Sequence, residues 1–196
     1  MTRIRFALIT VLMLALAGCD DKPAPAAAPE AETETSGPKQ EWPLVWLYQE
    51  GSCQNTETRV LVENAANLIT WADPEACEVA SGSWQSWGRE AVLPLHLTWV
   101  VPLVTPGHAE QHGAADWSRE QKIAFINDRD NLIILDPAST MERADYSPVF
   151  WTPLERFWCE YATRWKRVKQ RYQLTVEDDE SKALARMLEE CGSASG

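Results

Sequence analysis

The chain has 196 residues and carries 18 Lys+Arg against 29 Asp+Glu, a net charge of −11 at neutral pH. That balance favours solubility and excludes a protein that grips nucleic acid or anionic lipid by bulk charge alone. Ten tryptophans and five cysteines belong to a chain with a packed core and exported-protein chemistry rather than to a disordered one.

Arg3 and Arg5 form a positive head, and Phe6 to Ala17 an apolar stretch of signal-peptide length, too short to span a bilayer comfortably. It ends in Leu16-Ala17-Gly18-Cys19, which resembles the lipobox of bacterial lipoproteins. Residues 1–18 therefore read as a lipoprotein signal peptide. The Cys19 thiolate takes the diacylglyceryl group and cleavage leaves it N-terminal, with enough acyl chains for stable anchoring. Asp20 resembles an inner-membrane retention signal, so the expected place is the periplasmic side of the envelope, inner membrane ahead of outer. Removing the leader takes Arg3 and Arg5 and lowers the basic count from 18 to 16. Residues 19–41 combine this lipidated N-terminus with a tether rich in Ala, Pro, Glu, Thr and Ser, which buries too little to offset ordering entropy. From Trp42 onward aromatic and aliphatic residues are dense, and about 155 residues suffice for one domain with a core.

Within that domain lie Cys53, Cys77, Cys159 and Cys191. An even number in an exported chain points to two disulfides, with three connectivities open; the sequence-local pairs Cys53–Cys77 and Cys159–Cys191 are expected. Each closes a loop of a few tens of residues, worth roughly 3–4 kcal/mol in the chain-entropy description. The competing metal site lacks a close Cys-x-x-Cys pair.

In chain order, Thr56 to Ala66 reads as a helix with Val60 and Leu61 turned inward and Asn64 and Ala65 beside them. Glu78 to Trp84 and Leu93 to Leu103 read as strands, the second with Pro94 and Pro102 near its ends. Ser118-Arg119-Glu120-Gln121 is a capping box that opens a helix over Arg119 to Ile126. Leu132 to Leu135 is a short apolar strand, and Pro137 breaks it. Thr152-Pro153-Leu154-Glu155 reads as a second capping box and helix start. The helix beyond it carries Trp158, Tyr161, Trp165, Val168 and Tyr172 as one apolar stripe. A last helix from Asp178 to Glu190 turns Leu184, Met187, Leu188 and Cys191 to the same side. The fold class is α+β, a small sheet with helices and a C-terminal helical hairpin.

From Tyr48 to Cys191 the chain resembles the secreted HNH endonuclease-like proteins related to the GmrSD C-terminal domain. Cys53 with Glu57-Thr58-Arg59 is similar to their Cys-Asp-Thr-Arg opening, and Cys77 to Trp84 to their second cysteine segment. Val100-Val101-Pro102-Leu103 resembles the Val-Val-Pro-Leu that follows the catalytic histidine. Phe125-Ile126-Asn127-Asp128 with Asn131-Leu132 resembles their Phe-Ala-Asn-Asp…Asn-Leu segment. Trp158-Cys159-Glu160-Tyr161-Ala162, Trp165, Val168, Lys169 and Arg171-Tyr172 are close to their C-terminal helix. The resemblance makes residues 42–196 an HNH endonuclease-like domain with a ββα-metal core. Such a core holds one divalent metal, a histidine acting as general base, an acidic neighbour and a helix residue as ligands.

Active relatives read Asp-His before Val-Val-Pro-Leu; here those positions are Thr98 and Trp99. Their Asn-Arg-Ser-Lys-Gly helix opening is matched by Thr140 to Ala144, so the metal-side asparagine is Thr140. Indole cannot accept a proton from water, and threonine is a poor ligand for a hard divalent ion. The resemblance therefore implies a degenerate nuclease centre, with Asn131 kept to brace the hairpin loop and no cofactor required. A divalent metal (Mg²⁺, Mn²⁺ or Zn²⁺) enters only if a divergent endonuclease survives, with His96, on the strand face of Thr98, as substitute base. Arg59 and Trp84 also match the family and line the old cleft or fill the core.

Three further features carry alternatives. His108 and His112 are four apart, a spacing that suits Zn²⁺ on a helix, and with His96 they are all the histidines available. Pro106-Gly107 and Gly113 argue instead for a metal-free surface loop. Arg164, Lys166, Arg167, Lys169 and Arg171 form a basic run. It reads as the solvated back of a helix, or as a nucleic-acid face centred on Arg164, Arg167 and Arg171. The expected function is binding or interaction at the membrane surface with a protein partner. Nucleic acid is the less favoured partner.

Overall fold

The structure is a computed structural model and describes residues 41–193. The expected signal peptide, Cys19 and most of the expected tether lie outside the described residues. Among the described residues no helix is long and apolar enough to cross a membrane.

The architecture is mixed α+β, with small antiparallel sheets and a C-terminal helical pair. Helix α1 (Thr56–Glu63) starts on Asn55, whose side chain accepts the Thr58 N–H, and buries Val60 and Leu61 as expected. Asn64 is its exposed C-cap. The strand expected over Glu78 to Trp84 is two strands in different sheets, β2 (Val79–Ser81) pairing with β1 (Thr70–Trp71), and β3 (Ser83–Gln85) pairing with β4 (Val92–Pro94). Gly82 divides them because the chain closes onto its neighbours there. A Cβ at Gly82 would stand 2.6 Å from the Trp84 indole and 2.9 Å from Ile69. The long strand expected over Leu93 to Leu103 is likewise broken. Pro94 ends β4, a 3-10 turn spans Leu95–Leu97, and β5 is Trp99–Pro102.

Helix α2 (Pro106–Ala109) was not expected. Thr105 caps it, Pro106 sits at its first turn, and a looser turn over Glu110–Ala114 continues it to a kink at His112 and Gly113, where Gly113 takes φ 121°. Helix α3 (Arg119–Ile126) has the full reciprocal capping box on Ser118 and Gln121. Strand β6 (Leu132–Leu135) pairs antiparallel with β5, Trp99 opposite Leu135 and Pro102 opposite Leu132. Pro137 is no mere breaker. It is the first residue of α4 (Pro137–Arg143), whose N-cap Asp136 accepts the Ser139 N–H.

The capping box expected at Thr152 does not form. The Leu154 N–H donates to Trp87 O at 2.8 Å and the Trp158 indole donates to Pro153 O at 2.9 Å, so this segment docks extended on the core. Helix α5 (Trp158–Arg171) follows a 3-10 turn and has no side-chain cap. Tyr161, Trp165 and Val168 are buried as the stripe predicts, while Trp158 and Tyr172 are half-buried. Helix α6 (Asp178–Ser193) packs on α5, and Cys159–Cys191 joins the pair with 5.6 Å between Cα atoms. Cys53–Cys77 forms too, so both expected disulfides are present.

Strand β6 organises the interior. Leu132 and Ile134 face a smaller core with Val60, Leu61, Val79, Trp84, Leu93 and Val100. Ile133 and Leu135 face a larger one with Phe125, Tyr161, Trp165, Val168 and Leu184. Asn131, fully buried just before β6, holds the far end of the hairpin. Its Oδ1 accepts the Val104 N–H at 2.8 Å, and its amide donates to Val104 O and Phe125 O, each at 3.3 Å. Asn131→Ala would orphan those backbone groups in an apolar setting and is expected to destabilise the domain by about 3 kcal/mol. Urea unfolding checks this, and Asn131→Asp, which turns an anion toward two carbonyls, should be no better.

Candidate functional site

The pairing of β5 with β6 and the start of α4 place positions 98, 99 and 140 at one end of the hairpin, away from Asn131. Trp99 lies opposite Leu135, next to the N-cap of α4, and is 44% exposed. The Thr98 hydroxyl is buried and donates to Pro94 O at 2.9 Å. Thr140 does not open α4, which begins at Pro137 and ends at Arg143; it lies inside the helix and donates its hydroxyl to Asp136 O at 3.0 Å. Both hydroxyls thus close local backbone turns. The charge at this end belongs to Asp136. Burial pushes its carboxyl up, but hydrogen bonds from Ser139 and Ser86 and the charge of Arg89 hold it below the usual carboxylate range. His96 is exposed, in a 3-10 turn before Thr98 rather than on a strand.

The basic run is divided. A cleft of about 1020 Å³ between α1, the turn before β6 and α5 includes Arg129, Arg164, Arg167 and Arg171 in its lining, and each meets acid. Arg171 reaches Asp128 at 2.5 Å and Asp130 at 2.7 Å, Arg167 reaches Asp130 at 3.0 Å, Arg164 pairs with Glu160 at 2.8 Å, and Arg129 pairs with Glu63. Arg164 also donates to the carbonyls of Asp130, Arg129 and Leu132. A phosphate approaching this face would displace carboxylates that themselves repel it. Lys169 departs from the solvated-helix expectation altogether, being 1% exposed. Trp84 fills the core, its indole donating to Leu61 O at 2.7 Å, and Arg59 is half-buried.

Lys169 leads to a polar centre under α2. Its ammonium stands 3.0 Å from His108 Nε2, 3.3 Å from Glu180 Oε2, and donates to Thr175 O at 2.6 Å. Glu180 is 1% exposed and also accepts the Trp165 indole N–H and, at 3.4 Å, the Glu177 N–H. His108 is 3% exposed, stacks on His112 with ring centroids 3.9 Å apart, and meets Trp165 edge-on. His112 Nδ1 lies 2.7 Å from His108 O. The surface loop expected here is therefore a helical turn packed on α5, because Thr105 and Pro106 initiate a helix that Gly107 does not break. Burial first, then the Lys169 charge and His112, push the His108 imidazole down to about 3, against a backbone carbonyl of Asp145 that pulls it up. Burial also lowers Lys169, opposed by Glu180.

Among the described residues, His108, His112 and Glu180 bring one potential ligand atom each within 4.8 Å of one another; His96 is not of this group. Sequence reasoning missed Glu180, since an acid in the first turn of α6 ordinarily faces solvent. Its signal was the lysine on the opposing helix. Beside the centre a cleft of about 430 Å³ is lined by His108, His112, Asp145, Tyr146, Phe150 and Glu180 among others.

Comparison with known proteins adds one finding. The chain is 34% identical over 155 residues to a protein of Arthroderma benhamiae described as an uncharacterized secreted protein; the match covers 74% of this chain and 72% of that one. The chain belongs to the family of that protein. No family model and no solved structure matches this chain.

The neutral, buried His108 has a consequence for stability. Unfolded, its ring titrates near 6.5, so the folded state binds fewer protons below that pH. Its stabilisation is full above about pH 6.5 and is lost as pH falls toward about 3. Asp130 and Asp136, held below their ordinary value of 3.8, lose theirs only further down. Between about pH 7 and 5 the domain should lose about 1–2 kcal/mol, measured by urea unfolding with a chelator present, and His108→Gln should flatten this slope.

Proposed function

We propose that this chain is an exported, lipid-anchored envelope protein whose domain keeps an HNH-like scaffold and serves binding rather than hydrolysis. Two disulfides and a family member described as secreted support export, and the Leu-Ala-Gly-Cys19 segment supports acylation at Cys19. The antiparallel pair β5 and β6 followed directly by α4 supports the ββα reading, with Asn131 bracing the hairpin as in the resembling nucleases.

What carries the reading is Trp99, which the resemblance puts at the place of the general base. Its neighbour Thr98 and the helix position Thr140 spend their hydroxyls on backbone carbonyls. No base, acidic ligand or amide ligand stands at those three positions. Trp99 is itself 44% exposed, and Leu97, two residues before it, is 41% exposed. An exposed tryptophan with an exposed leucine two residues before it is suited to a protein partner. The arginines of α5 are met by carboxylates, which disfavours nucleic acid as that partner.

The purified protein is expected to leave supercoiled plasmid intact in Mg²⁺ or Mn²⁺. In envelope preparations a crosslinker should trap a discrete adduct that Trp99→Asp removes. Metal-dependent cleavage abolished by His96→Ala would overturn this in favour of a divergent endonuclease.

A further inference from the structure

The polar centre between α2 and α6 has a geometry that neither the nuclease resemblance nor the binding reading uses. We propose that His108, His112 and Glu180 form a binding site for a borderline divalent transition ion, zinc foremost, which the ion enters by displacing the Lys169 ammonium.

The protonation pattern follows from geometry. His112 Nδ1 faces a carbonyl oxygen at 2.7 Å, so it bears the proton and leaves Nε2 with a lone pair. His108 Nε2 faces an ammonium at 3.0 Å, and an ammonium only donates, so this Nε2 also offers a lone pair. Both imidazoles are thus held in the tautomer that ligates through Nε2, with His112 fixed by a backbone carbonyl as metal-binding histidines commonly are. The third group, the Glu180 carboxylate, is oriented by the Trp165 indole and the Glu177 N–H. Supporting bonds of this kind set ligand direction before any ion arrives.

The centre already holds a cation. Lys169 places a positive charge against imidazole nitrogen, carboxylate and carbonyl oxygen in a setting from which water is nearly excluded. Ligands about 2.0–2.1 Å from one ion stand roughly 3.3 Å apart. One ring nitrogen of each histidine and one Glu180 oxygen lie within 4.8 Å of one another, so side-chain movement can close the set once the ammonium withdraws. Two imidazoles and one carboxylate suit zinc better than magnesium or calcium, which prefer oxygen. The neighbouring cleft gives access from solvent and room for a water as fourth ligand. Lys169 lies at the edge of a second cleft with Leu174 and Val176, toward which its flexible stem can turn.

The test is calorimetric titration of the chelator-treated full chain with zinc. One ion per chain is expected. His112→Ala, which removes a half-buried ligand and leaves the Lys169–Glu180 pair whole, should weaken binding at least tenfold. Lys169→Met, which removes the competing charge, should strengthen it at least tenfold and enlarge the rise in thermal midpoint on adding zinc. Cobalt(II) should give the visible bands of a tetrahedral nitrogen–oxygen site in the parent and lose them in His112→Ala. Absence of stoichiometric zinc, binding unchanged in His112→Ala, or binding weakened in a folded Lys169→Met would each overturn the proposal.

Discussion

Strand β6 is four residues long and buried on both faces, and the rest of the domain is arranged around that constraint. Its side chains alternate between two cores, so a slip of one register would exchange every contact on both sides. A backbone so placed must have its hydrogen bonds met by protein. β5 supplies them along the ladder, the Trp87 N–H and Arg164 meet the Ile134 and Leu132 carbonyls, and Asn131 closes the neighbouring Val104 and Phe125 backbone. The larger core then needs a broad aromatic face, which α5 provides. The smaller core is closed by α1 and by Trp84 folding over Gly82.

The same burial explains why charge inside this domain is so closely partnered. Lys169 and Glu180 are both about 1% exposed, and isolated charges there would be unaffordable. Such a pair is weak evidence for stability, because desolvation offsets much of the Coulomb attraction. Beside two oriented imidazoles it forms the polar centre at which the zinc site is proposed. Arg143 answers a different need, donating to the carbonyls of Pro102 and Leu103 where β5 leaves its ladder.

Much of this was legible in the residues. The apolar spacing of α5 and α6, the Ser118 capping box and the Leu132 to Leu135 run each pointed to the element that forms, because in each local chemistry and tertiary packing agree. Some failures come from local signals read wrongly, such as Pro137 at the first position of α4; the others come from tertiary contact overriding a local signal. Thr152-Pro153-Leu154-Glu155 has the composition of a helix start, yet Trp87 claims the Leu154 N–H. Pro106-Gly107 looks like a loop, yet Thr105 caps a turn that packs on Trp165. Lys169 belongs by sequence to a solvated basic face, and only the return of α6 buries it. Of the candidate site, positions 98, 99, 131 and 140 could be named from the resemblance. Glu180 could not, since its partner lies on another helix.

On the reading proposed above, the ββα frame persists while its chemical side chains have been replaced. Reinstating them tests it most directly: Thr98→Asp, Trp99→His and Thr140→Asn in one chain, checked for folding by circular dichroism and assayed on supercoiled plasmid with Mn²⁺. The account predicts metal-dependent nicking by the triple variant and none by the parent. A folded triple variant as inert as its parent would contradict it, because the frame would then not be that of a nuclease.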